Sequence, residues 1–170
     1  MDERQTLEAI WRQSAVPVIH RPKMGKLHVR FPRLHNDEVW LLRTCGERTR
    51  PRWHAVVQPR TNVRGWWNVG RAHFTNLAKG LLERFGSVYV IQPHRELEIC
   101  APACQNAIGL ECECSCLGLH HGESATGRWY EVSDALAMRW RESEFRWQLL
   151  VPAQSSNTRR RSRLPGAASD

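Results

Sequence analysis

Five of the six cysteines in this chain, and two of its eight histidines, fall within the 22 residues CAPACQNAIGLECECSCLGLHH, from Cys100 to His121; elsewhere only Cys45 remains. A chain that concentrates its thiols in this way folds around them either as disulfides in an oxidising compartment or as thiolates gathered on a metal in a reducing one. At 170 residues it is long enough to bury a core without cross-links. Met1 leads into DERQTLEAIWRQS, which is charged and amphipathic rather than the unbroken apolar stretch of a secretory signal. No run of roughly 18 apolar residues is present to span a bilayer. The expected location is therefore cytoplasmic, and the metal reading leads.

The spacing is Cys100-x3-Cys104-x7-Cys112-x-Cys114-x-Cys116, followed by His120, His121 and Gly122. Structural zinc asks for four thiolate or imidazole ligands in a tetrahedron, with metal–sulfur distances of about 2.3 Å. Cys100 and Cys104, four apart, fall on one side of a helical turn or knuckle, and Pro102 suits an early position in such a turn. Cys112, Cys114 and Cys116 alternate, so in extended chain they share a face. The expected ligands are Cys100 and Cys104 from the first arm, with Cys114 and Cys116, or one of them and His121, from the second. Cys112, beside the reversal at Asn106–Gly109, and His120 rank behind them. Zinc is the expected ion. An iron–sulfur cluster is the second choice, because the thiolates suffice but no ferredoxin spacing is present. Glu96, Glu98, Glu111 and Glu113 offer a general base only if the site kept an open coordination position.

The formal net charge is +8, carried mostly by arginine. The stretch 153–170 sets four arginines, Arg159, Arg160, Arg161 and Arg163, against Asp170, so +3 of the total sits there. A basic balance of this kind favours phosphate backbones through counterion release. Tryptophan and arginine also interleave, in Arg52-Trp53, Arg64-Gly65-Trp66-Trp67, Arg128-Trp129, Arg139-Trp140-Arg141 and Arg146-Trp147. Indoles beside guanidinium groups can stack on bases while the cations hold phosphates. Simple strand alternation, with Trp inward and Arg outward, produces the same pattern. The candidate nucleic-acid contacts are Arg52, Trp53, Arg64, Trp66, Arg128, Arg159, Arg160 and Arg161. The six histidines outside the cysteine segment are read as structural or surface residues, and Cys45 as a lone, partly buried thiol.

Periodicity predicts an amphipathic helix over residues 3–14 around Leu7, Ile10 and Trp11. Strands are expected at Val16–Ile19, Leu27–Phe31, Val39–Leu42, Trp53–Gln58 and Gly65–Val69, with a basic loop over 43–52. The clearest helix is Arg71–Phe85, whose Phe74, Leu77, Ala78, Leu81, Leu82 and Phe85 form one stripe stopped by Gly86. Gly80 inside it costs about 1 kcal/mol relative to alanine. Ser87–Gln92 is the clearest strand. Arg128–Val132 reads as another, then a short helix capped by Ser133 or Asp134 and running to Trp140, then a last strand at Glu144–Val151. The expected fold is α+β: a mostly antiparallel sheet, one main amphipathic helix and a Cys/His metal-binding excursion. It forms a single domain over 1–152 containing the knuckle at 99–122, with a disordered basic tail over 153–170.

The run RFGSVYVIQPHRELEICAPACQNAIGLECECSCLGLHHG resembles a segment of a functionally uncharacterised family of small bacterial, phage or mobile-element proteins. The likeness extends over about residues 48–132, and its most specific part is CAPAC…ECECSC…HG. The C-x-C element also partly resembles SWIM-type zinc modules, although three residues separate Cys116 from His120. The resemblance implies that His121 rather than His120 is the functional imidazole. This chain departs from the family pattern at Gln105, where an aromatic is expected, and at Gly70, where a proline is usual. The family carries no activity of its own to transfer. The residues together suggest a zinc-binding nucleic-acid-binding module partnered by DNA or RNA. A mobile-element or phage protein–protein adaptor is the alternative, and a metal-dependent hydrolase or nuclease a more distant one.

Overall fold

A computed structural model describes residues 3–13, 15–46, 50–58, 61–95, 101–107, 109–110, 113, 130–140 and 143–153. Among them, seven strands join in one sheet, in the order β3-β4-β2-β1-β5-β7-β6. The elements run α1 (Glu3–Arg12), β1 (Val18–His20), β2 (Leu27–Arg30), α2 (Asp37–Cys45), β3 (Arg52–Gln58), β4 (Thr61–Val69), a 3₁₀ turn (Arg71–His73), α3 (Phe74–Phe85), β5 (Val88–Pro93), a short α4 (Pro102–Gln105), β6 (Tyr130–Trp140) and β7 (Ser143–Pro152). Every strand pair is antiparallel except β1–β5. The α+β class and the mostly antiparallel sheet agree with the sequence.

One face of the sheet is closed by α2 and α3. The stripe of α3 buries Phe74, Leu77, Ala78, Leu81 and Leu82 against Ile19, Leu27, Val29, Trp67, Val69, Val88, Val90 and Leu150. Gly86, in the left-handed conformation at φ 78°, ends the helix with its N–H donating to the Leu82 carbonyl at 2.8 Å. Gly80 has a packing reason. A Cβ there would lie 2.5 Å from Thr44 Cγ2 and 3.3 Å from the Trp40 ring, so its absence lets α2 and α3 approach. Gly65 does the same within the sheet, since a Cβ would stand 2.5 Å from the Trp53 indole that crosses it.

Two expectations are corrected. Val39–Leu42 is not a strand but lies inside α2. A four-residue apolar run satisfies either period, and here Leu41 and Cys45, one turn apart, both enter the core. Asp37 opens that helix, accepting the Leu34 N–H and pairing with Arg84 at 3.5 Å. The stretch 133–140 is not a helix but continues β6, paired with β7 from Tyr130↔Pro152 to Trp140↔Ser143. A bulge at Ser133 marks the spot, where the hydroxyl donates to the Leu149 carbonyl at 3.3 Å instead of capping a helix. Of the stretch 153–170, expected as a disordered tail, residues 154–170 lie outside the described residues.

Candidate functional site

The other face of the sheet is covered only in part. Ile10 of α1, with Leu7 and Trp11, packs on Val18, Ile91, Trp147, Tyr89 and Phe145. Beside this small cluster the register lines up polar and aromatic side chains. The β1–β2 pairing sets His20 opposite His28, and β2–β4 sets His28 opposite Asn68. The β3–β4 pairing sets Asn68 opposite Arg52 and Trp66 opposite His54. Side chains directly opposite share a face, so residues far apart in sequence form one row.

The rings touch along that row. The centroids of His54 and Trp66 are 4.4 Å apart at 33°, those of His28 and Trp66 5.5 Å apart, and those of His20 and His28 5.5 Å apart. Trp11 leans over from α1, 6.0 Å from His20 and 6.3 Å from Trp66. Asn68 accepts the indole N–H of Trp66 at 3.2 Å, which fixes the ring. Arg30 sits over Trp11 at 5.3 Å and donates to its carbonyl.

Between α1 and the sheet these residues leave a cleft of about 360 Å³. Leu7, Trp11, His20, His28, Trp66, Ile91 and Phe145 form its walls, with Glu8 and Arg12 at its rim. Burial, aided by the neighbouring His28, pushes the His20 imidazole down to about 4. His28 is lowered as well, first by burial and then by His54. His20 is therefore a neutral ring at pH 7, with one nitrogen donating and one accepting. The cleft offers aromatic faces and neutral polar edges, a lining that suits a planar ring better than an ion.

The sequence-predicted contacts divide between the two faces. Arg52 is exposed and Trp66 half-buried on the histidine face. Trp53 points the other way: its ring packs on Trp67 at 5.4 Å and lies under Arg33 at 4.3 Å, against the α2–α3 core. Arg52 and Trp53 therefore do not act on one surface. Arg64 lies in β4. Arg128, Arg159, Arg160 and Arg161 lie outside the described residues. In the sequence His20 and His28 stand apart and read as structural or surface imidazoles. The signal that joins them is their equal spacing, four residues on either side of Met24 in the turn between β1 and β2.

Of the expected metal ligands, Cys104 lies in α4. Cys100, Cys112, Cys114, Cys116, His120 and His121 lie outside the described residues, as do Glu96, Glu98 and Glu111. Among the described residues no group of three or more His, Cys, Asp or Glu is placed to hold a metal ion. Two residues of the segment, Leu110 and Glu113, anchor it to the body. Leu110 is buried in the main core. The Arg95 N–H donates to the Glu113 carbonyl at 2.8 Å, which joins the two ends of the 95–113 stretch. The Glu113 carboxylate pairs with the buried Arg21 at 2.9 Å and with Arg95 at 3.5 Å. A carboxylate held this way serves as a tether. Cys45 is a buried thiol, pushed up to about 11 by that burial, which leaves it unreactive.

Among the described residues no helix is long and apolar enough to cross a membrane. Comparison with protein-family models, with curated proteins and with solved structures finds no match to this chain.

Proposed function

We propose that this chain is a nucleic-acid-binding module whose contact surface is the sheet face turned away from α2 and α3. The observation that carries this reading is the row His54–Trp66–His28–His20 beside the exposed Arg52. Aromatic rings laid across an antiparallel sheet give bases a stacking platform, and a neighbouring guanidinium meets the phosphates. The net charge of +8 adds long-range attraction for a polyanion.

The cysteine segment is the second part of the proposal. It holds one structural zinc through four of the thiolates and imidazoles named above, with Cys100, Cys104, Cys114, Cys116 and His121 foremost. Support comes from their spacing and from the Arg95–Glu113 contact, which closes the base of a loop carrying Cys100, Cys104 and Cys112 in its sequence. The zinc supplies folding free energy to a segment whose sequence has few large apolar residues, and no step of binding passes through it.

Two measurements test the two parts. Affinity for DNA or RNA oligonucleotides, followed across a salt series, should fall with a log–log slope of about one unit per phosphate contacted. Absence of binding to either, or an affinity indifferent to salt, contradicts the module and favours the protein adaptor. Elemental analysis of protein prepared without chelators should find near one zinc per chain, and neither zinc nor iron contradicts the metal site.

A further inference from the structure

The cleft between α1 and the sheet is narrower in what it admits than the open platform beside it. It is bounded on one side by α1, through Leu7 and Trp11, and on the other by His20, His28 and Trp66. Its volume of about 360 Å³ is at the lower end for a ligand pocket. A base still paired or stacked within a duplex cannot pass beneath a helix. A base splayed out of a single strand can.

The distribution of charge gives the occupant a direction. The interior carries two indoles, a phenyl ring and aliphatic side chains, with imidazoles that are neutral at pH 7 as its polar groups. The cations stand outside. Arg12 is paired with Glu8 at 2.9 Å, and Arg30 is laid over Trp11. Arg52 lies exposed across from Asn68, one strand beyond Trp66. A phosphate gains nothing inside the cleft, and beside Arg12 it also meets Glu8, whereas toward β3 it meets Arg52. A ring with donors and acceptors on its edge fits the interior.

We infer that this cleft receives a single unpaired nucleobase, its edge toward His20 and His28, while the strand's phosphates pass outside along β3 and β4 over Arg52. The inference rests on the nucleic-acid reading and adds to it that the preferred ligand is single-stranded and held by a base.

The test compares three labelled oligonucleotides of one length: a single strand, its duplex, and an abasic strand with the same phosphates. The single strand should bind roughly tenfold more tightly than the abasic one, the effect of stacking one base. The duplex should rank with the abasic strand. Trp66→Ala should bring the single strand down to the abasic level, and Trp66→Phe should retain most of the difference. Leu7→Trp fills the cleft rather than emptying it, and should abolish the preference while the circular dichroism spectrum stays that of the wild type. A preference for duplex, or a single-strand preference that survives Leu7→Trp, overturns the inference and leaves the nucleic-acid reading standing; equal, salt-sensitive binding of base-bearing and abasic strands overturns the inference and the stacking platform together. Failure of all three to bind overturns both.

Discussion

The two faces of the sheet are built from the same strands and have opposite characters. The face under α2 and α3 is filled by aliphatic and aromatic side chains, among them Ile19, Leu27 and Val90, and α3 closes over them with Phe74, Leu77 and Leu81. The face under α1 has a small cluster around Ile10, Val18, Ile91 and Trp147 and then gives way to His20, His28, His54 and Trp66. Strand alternation sends neighbours to opposite destinations: Trp67 joins the core while Trp66 joins the histidines. One face carries the main core; the other is the face proposed above as the contact surface.

The contrast is broken most forcefully at Phe74. Phe74→Ala empties a fully buried site and should destabilise the chain by about 3–5 kcal/mol in denaturant unfolding. Trp66→Ala, at a half-buried position on the other face, should cost less than about 2 kcal/mol. Equal losses at the two positions would show that the histidine face is as much core as the other.

The next effect is titration, which belongs to the histidine face. In the unfolded chain His20 takes up a proton near 6.5, and in the folded chain not until about 4. Between those values the unfolded chain binds more protons. Stability is therefore intact above about pH 6.5 and falls as pH drops toward 4, by up to about 3 kcal/mol. His20→Gln should remove that part of the curve, read from unfolding midpoints across the range. A curve unchanged by the substitution would mean that His20 is not held neutral by its surroundings.

The smallest effect sharpens the account of the closed face. Helix propensity alone makes Gly80→Ala favourable by about 1 kcal/mol. The added methyl meets Thr44 Cγ2 at 2.5 Å, so a net loss of about 1 kcal/mol is expected instead. In a Thr44→Ser background that methyl is gone and the same substitution should become neutral or stabilising. A stabilising Gly80→Ala in the wild type would show that α2 and α3 are not in close contact there.

Much of the closed face was legible because its signals are local. The stripe of α3, its stop at Gly86 and the apolar run of β5 each occupy contiguous sequence with an unambiguous period. VWLL at Val39–Leu42 is too short to choose between periods, and only Leu41 and Cys45 meeting the core decides for a helix. Ala135, Leu136, Ala137 and Met138 are good helix formers, yet pairing with β7 overrides them. The histidine face was harder to foresee, because His20, His28, His54 and Trp66 are assembled by register across four strands. Arg52, Trp53 and Trp66 stand out in the sequence by the interleaving of tryptophan with arginine, and adjacency hides that Arg52 and Trp53, neighbours on one strand, face apart.

The tryptophans provide the most direct measurement, because they sort between the faces. Trp11 and Trp66 border the cleft, while Trp40, Trp53 and Trp67 pack on the α2–α3 side. In a ¹⁵N-labelled sample titrated with a single-stranded oligonucleotide, the indole N–H signals of Trp11 and Trp66 should shift and those of Trp40, Trp53 and Trp67 should stay. Shifts confined to the second set, or no indole shift at saturating binding, would contradict the assignment of recognition to the histidine face.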